Sequence, residues 1–218
     1  MAVKTYSLKR QGGQKLTAHF RVREFRCNDG SDTILIDDKL AKLLEQLRTW
    51  AGASIRITSA YRTPAYNRRI GGASNSQHTK GTAADIVVTG KDPAEVAKFA
   101  QAIGAGGVGQ YTAQKFTHVD TRAGRSYWKN DGRGDRTVST HGGKCPYTQP
   151  VATAKRGSKG NGVRWVQWWL RLWGYSVSVD GVFGAATEAA VEKLQARLGL
   201  EVDGKVGRVT RNALRGIV

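Results

Sequence analysis

Apolar residues recur at Ile36, Leu40, Leu43, Leu44 and Leu47, a helical rhythm that predicts an amphipathic helix over residues 36–50, with Asp37 and Asp38 near its start. Residues 54–58 (Ser-Ile-Arg-Ile-Thr) alternate instead, as a half-buried strand does. A long polar stretch over 61–80 carries Asn, Ser, Gly and Arg without a period of its own, and a loop of that length is usually functional or disordered. Ala83–Val88 reads as a buried strand. Residues 93–103 read as a helix whose Val96, Phe99, Ala100 and Ile103 share one face. Short strands follow at Gly107–Tyr111 and Phe116–Asp120. Helices mixed with closely spaced, hairpin-like strands predict an α+β domain with an antiparallel sheet over residues 1–138.

From residue 139 the composition shifts to Gly, Ser, Thr, Lys and two prolines, as in a linker, taken here as 139–155. Residues 156–218 contain an internal repeat. Val179-Asp180-Gly181-Val182-Phe183-Gly184-Ala185-Ala186-Thr187 is echoed by Val202-Asp203-Gly204-Lys205-Val206-Gly207-Arg208-Val209-Thr210. Each unit leads from a glycine turn to a threonine that opens a helical segment, over 189–198 and 211–217. With a further helix over 163–173 they predict a three-helix bundle. On that helix Val163, Val166, Leu170 and Trp173 form the core stripe, while Trp165, Trp168, Trp169 and Leu172 widen the apolar arc to roughly 220° at about 100° per residue. A small bundle buries most of such an arc; an exposed aromatic patch would instead contact a ligand, and the expectation leans to the patch, with Trp165, Trp168 and Trp169 as binding residues.

Charge changes the picture more than composition does. Hydrophobic content of 39% is ordinary for a soluble protein, but 35 Lys and Arg against 17 Asp and Glu leave a net charge of +18. Such a field favours polyanionic partners: nucleic acid, anionic membrane or anionic wall polymers. Nucleic-acid recognition motifs are absent, and so is any apolar run of roughly 18 residues, so neither nucleic-acid binding nor membrane insertion is expected. The first residues lack the apolar stretch of roughly 7–15 residues that marks a signal peptide, which predicts synthesis in the cytoplasm. Cys27 and Cys145 are the only cysteines, and their spacing neither demands nor forbids a disulfide.

The chemistry concentrates in Ser76-Gln77-His78-Thr79-Lys80-Gly81-Thr82-Ala83-Ala84-Asp85. His78 closes a glycine-containing loop and Asp85 lies on the following strand, with Gly81 and Ala83 leaving room for a close backbone approach. His118, on a later strand, offers a third ligand, and three protein ligands with an open fourth position is how catalytic zinc is held. His19 and His141 have no partner at useful spacing and read as surface or linker residues.

The pattern Ser-x-His-x-x-Gly-x-Ala-x-Asp, preceded by Ser59-Ala60-Tyr61-Arg62 and Asn67 and followed by His118-Val119-Asp120, resembles the zinc D-alanyl-D-alanine carboxypeptidase family, whose relatives include phage endolysin peptidases. Residues 156–218 are similar to the three-helix peptidoglycan-binding domain. The resemblance implies zinc held by His78, Asp85 and His118, with Arg62 beside the scissile carbonyl and Tyr61 and Ser76 shaping the substrate cleft. It implies a monomer that binds peptidoglycan and anionic wall polymers and, after release from the cytoplasm, hydrolyses the stem peptide as an endolysin. The bond would be the L-alanyl-D-glutamate or the D-alanyl-D-alanine link. A non-catalytic wall-binding or phage structural protein on an inherited peptidase fold is the alternative. Many relatives carry an acid or histidine two or three places before the last ligand, where this chain has Lys115 and Phe116. Asp120, sharing a strand face with His118, is the nearest substitute as general base, or else orients His118.

Overall fold

The computed structural model describes residues 3–218 and divides into two compact units, one ending at Gly143 and one running from Lys144 to Val218. In the first, β1 (Val3–Ser7) pairs antiparallel with β2 (Thr33–Asp37), separated in sequence by α1 (Leu8–Gln11) and a 3₁₀ turn at Val22–Phe25. Ile36 belongs to β2 and not to the helix predicted from it. The chain turns at Asp37, whose carboxylate caps α2 (Asp38–Ala51) by accepting from the Lys39 N–H. The apolar run simply continues through the cap, which is why periodicity alone placed the helix start too early.

Six further strands form one sheet: β3 (Ile55–Ser59), β4 (Ala83–Val88), β5 (Gly107–Tyr111), β6 (Phe116–Asp120), β7 (Ser126–Asn130) and β8 (Asp135–Thr137). Their order is β3-β4-β6-β5-β7-β8. Neighbours are antiparallel except β5 and β7, which run parallel, so the sheet is mixed where an antiparallel one was expected. The short strands β7 and β8 lie in polar, glycine-rich sequence with little alternation, and pairing with the rest of the sheet decides them. One sheet face is apolar. Ile86, Val88, Val108 and Val119 are buried there, as are Val96, Phe99 and Ala100 of α4 (Pro93–Ala102) and Leu40, Leu44 and Leu47 of α2. Trp50 stacks on Phe99 with ring centroids 4.5 Å apart. Side chains of this size stabilise by about 1.5–3 kcal/mol each when fully buried.

The long polar stretch over 61–80 is ordered. It holds α3 (Pro64–Arg69), with Thr63 as cap and proline in its first turn, and a 3₁₀ turn at Gln77–Lys80. Residues 140–143, read from composition as linker, fold back on α4. Gln101 Oε1 accepts from Thr140 Oγ1 and from the N–H groups of His141 and Gly143. His141, half-buried, packs edge-on against Tyr127 and donates through Nε2 to the Val108 carbonyl.

The second unit holds α5 (Asn161–Leu172), α6 (Ala185–Arg197) and α7 (Arg208–Leu214). The repeat seen in sequence is a repeat in space. Gln167 Nε2 donates to Asp180 Oδ1, the Val182 carbonyl and Thr187 Oγ1 at 2.8, 3.0 and 3.2 Å, and its Oε1 accepts from the Gly181 N–H at 2.9 Å. Gln195 does the same with Asp203, Lys205, Thr210 and Gly204 at 2.8, 3.0, 3.2 and 3.0 Å. Both helices after the loops start earlier than predicted, so each threonine sits inside the first turn. The aromatic patch expected on α5 is mostly core: Trp165 and Trp169 are 5% and 3% exposed, and only Trp168 is half-buried. A bundle this small surrounds α5 on more sides than one stripe can serve. Among the described residues no helix is long and apolar enough to cross a membrane.

Candidate metal centre

The face of the sheet opposite the helices carries polar chemistry, and strand register sets it out in rows. Asp85 on β4 pairs with His118 on β6, His118 with Gly109 on β5, and Gly109 with Trp128 on β7. Directly paired residues share a face, so these four stand in one line across the sheet. Ala83, Asp120 and Gly107 form the neighbouring row. His78 reaches the line from the 3₁₀ turn. Ser76 caps that turn by accepting from the His78 N–H, and Gly81 closes it at φ +70°, where a Cβ would collide with the Leu35 carbonyl.

Three ligand atoms converge. His118 Nδ1 lies 2.9 Å from Asp85 Oδ1 and 3.2 Å from His78 Nε2, which is itself 3.4 Å from Asp85 Oδ1. All three residues are buried. A tetrahedral zinc bound at its usual distances spaces its ligand atoms about 3.3 Å apart, so this triangle has the size the ion needs. The outer hydrogen bonds set the tautomers. His78 Nδ1 donates to the Ala60 carbonyl at 2.7 Å and His118 Nε2 to Asp120 Oδ2 at 3.1 Å. With both rings neutral, the inner nitrogens present lone pairs toward a carboxylate, an arrangement that favours a cation or a proton at its centre.

The charges around the cluster follow the same logic. Burial acts to raise the Asp85 pKa, but hydrogen bonds from His118 and His78 hold it far below the usual carboxylate range. Burial pushes His78 down, toward the neutral form. For His118 burial also acts downward, yet the bonds to Asp120 and Asp85 outweigh it and raise the pKa to about 9. Without metal, a proton on His118 is the charge that fills the gap.

Arg62 donates through Nη2 to Asp85 Oδ2 at 2.7 Å and through Nε to Ser59 Oγ at 2.8 Å, so its fork braces a ligand. Asp120 is fully buried behind His118. It accepts from His118 and from Arg122 through both Nε and Nη2, and despite burial these bonds keep it ionised. Ser76 caps the turn that carries His78. Tyr61 is 7% exposed, anchored by its N–H on the Phe25 carbonyl, because the chain leaving β3 must pass through the core there. His19, expected to be isolated, pairs at the surface with Glu45. Cys27 and Cys145 are both free thiols.

Sequence reasoning missed Arg122, Tyr111 and Trp128. The last packs 5.1 Å from the His118 ring and donates to the Tyr111 hydroxyl at 2.9 Å. A signal for them exists in Gly107-Val108-Gly109. Two glycines two positions apart on a strand vacate one face, and a Cβ at either would collide with Asp120 or Trp128.

Fold and site together define a domain with a buried His-Asp-His triangle of the size a metal ion needs, joined to a small helical repeat unit. Residues 18–120 match the family Peptidase M15, and residues 159–214 match the family described as putative peptidoglycan binding domain. The chain thus combines a Peptidase M15 domain with a peptidoglycan-binding domain. It is similar to the peptidoglycan L,D-endopeptidase MepK of Escherichia coli (strain K12), 33% identical over 117 residues, covering 50% of this chain and 62% of that protein. It also resembles the zinc D-Ala-D-Ala carboxypeptidase of Streptomyces albus G, 40% identical over 67 residues, covering 28% of this chain and 26% of that protein. The chain spans less than two thirds of the length of either relative. Among solved structures, the SleB N-terminal domain is 37% identical with a TM-score of 0.30, covering 31% of this chain and 93% of that one.

Proposed function

We propose that the chain is a zinc-dependent peptidoglycan peptidase that cuts the stem peptide at an L,D bond as a lytic endopeptidase, held on its substrate by the C-terminal unit. The observation that carries this reading is the buried triangle of His78, Asp85 and His118 with its inner lone pairs turned on one point. The similarity to an L,D-endopeptidase and to a zinc carboxypeptidase supports both the metal and the substrate class. Between the two bonds, the endopeptidase fits better, because trimming a terminal D-alanine breaks no cross-link.

Zinc, when bound, supplies a water of lowered pKa and polarises the carbonyl under attack. The chain's own residues fix the geometry. His78 and His118 present neutral nitrogens because Ala60 and Asp120 hold their other ring positions. Arg62 braces Asp85 through Oδ2, leaving Oδ1 to face the two histidines. Of the two roles open to Asp120, its position favours orienting His118: it lies on the far side of that ring, sealed from solvent and paired with Arg122. In this reading the protein acts on the wall after leaving the cytoplasm, as a phage-type lysin does.

Mass spectrometry of fragments released from defined cell walls by the zinc-loaded chain tests the assignment. New amino termini at the D-residue of an L,D bond are expected. Release of free D-alanine alone would replace the endopeptidase by a carboxypeptidase, and absence of any cleavage with zinc bound would favour a non-catalytic wall-binding protein.

A further inference from the structure

The face that carries the ligands carries one more proton-bearing group. Tyr111 pairs with Phe116 on β6 and Asn130 on β7, so its side chain leaves the sheet on the same side as His118 and Trp128, one row along. Its ring stacks on Phe116 with centroids 4.2 Å apart, and it remains half-exposed. Two contacts place its hydroxyl. The Trp128 indole N–H donates to the phenol oxygen at 2.9 Å, and the hydroxyl donates in turn to Asp135 Oδ2 at 3.3 Å. Trp128 is itself fixed: it lies across Gly109, rests against the His118 ring and is covered by the Arg122 guanidinium, 5.8 Å from its centre. A chain of contacts therefore runs from a metal ligand to a phenol at the open side of the sheet.

The rest of the site leaves work for such a group. The Nε and Nη2 donors of Arg62 are engaged with Ser59 and Asp85. Asp120 is sealed behind His118, and Lys115 and Phe116 offer no acid. Burial, with the negative charges of Asp135 and Asp85 adding to it, raises the Tyr111 pKa despite the opposing Trp128 bond, so the phenol keeps its proton through the neutral range. At 3.3 Å the bond to exposed Asp135 is a long one, and a neutral donor that exchanges it for developing negative charge gives more to the transition state than to the ground state.

We propose that Tyr111 contacts the substrate, its hydroxyl turning from Asp135 to donate a hydrogen bond to the scissile carbonyl oxygen as that oxygen becomes negative, with Trp128, which touches both the hydroxyl and the His118 ring, as the positioning residue. The inference rests on the peptidase reading. No proton changes hands in this step; the hydrogen bond strengthens as the carbonyl carbon becomes tetrahedral.

The test uses the full zinc-loaded chain, a muropeptide substrate and a phosphinate pseudopeptide that mimics the tetrahedral state. Tyr111→Phe keeps the stack on Phe116 and removes the donor. It is expected to lower kcat by roughly 10²-fold with KM and metal content unchanged, and to weaken phosphinate binding, measured by calorimetry, in the same proportion. Trp128→Phe keeps a ring against His118 but frees the hydroxyl, and should show a smaller loss of the same kind. Wild-type kcat and phosphinate affinity in Tyr111→Phe overturn the inference alone, as does a loss explained by lost zinc. A wild-type chain that neither cleaves muropeptides nor binds the phosphinate overturns the peptidase reading and the inference with it.

Discussion

Both units bury polar side chains, and they do so in opposite ways. In the C-terminal unit Gln167 and Gln195 are each 1% exposed, and every donor and acceptor on their amides is used within the adjoining loop and helix. In the N-terminal unit His78, Asp85 and His118 turn their outer atoms to protein partners and their inner atoms to one another. The first arrangement is closed: the side chains satisfy the loops, and the loops satisfy the side chains. The second is open by one positive charge. A buried polar network that completes itself holds a fold, whereas one that lacks a cation holds a place for an ion.

The strongest way to break this contrast is His118→Ala. Hydrolysis should fall by roughly 10³-fold or more, since nucleophile and Lewis acid leave together with the metal. Zinc by elemental analysis should drop to background, while the thermal transition of the C-terminal unit stays in place. Full zinc occupancy in that variant would remove His118 from the ligand set.

Asp120→Asn asks whether the outer partners matter. If Asp120 orients His118, zinc affinity in a chelator competition should weaken about 10–100-fold, and activity should return in excess zinc. A rate that stays low at full occupancy would make Asp120 the general base instead.

Acidity gives a third measure. His118, raised to about 9 in the metal-free protein, must lose a proton when zinc binds, whereas His78 is already held toward neutrality. Zinc affinity should therefore rise about tenfold per pH unit up to about pH 9, with one proton released per ion in calorimetry across buffers. The sign for stability is the reverse. In the metal-free chain the raised His118 pKa contributes stability that is fully present below its ordinary 6.5 and lost as pH climbs through about 9. A pH-independent zinc affinity between 6 and 8 would contradict the proton at the centre.

The smallest effect belongs to the closed network. Gln195→Ala leaves the Gly204 N–H and Thr210 without their buried partner and should cost about 1–3 kcal/mol in the unfolding of the C-terminal unit, read by denaturant titration. Metal content should be unchanged. An equal loss of zinc would show that the two networks are not independent.

The sequence by itself determined the parts whose information is local or periodic. Gly107–Tyr111, Phe116–Asp120 and Ala83–Val88 were legible as strands, α2 and α4 as amphipathic helices, and the two Asp-Gly loops as a repeat, since side-chain rhythm and turn chemistry are written residue by residue. The three residues of the buried triangle were legible through their motif. Only the tertiary structure decided what depends on neighbours distant in sequence. It put Trp165 and Trp169 in the core, ordered the stretch over 61–80, added β7 and β8, gave Ser76 a cap to hold and buried Tyr61. It also brought Trp128 and Tyr111 beside His118, because the parallel pairing of β5 with β7 sets that row and no local pattern encodes which strand lies next to which.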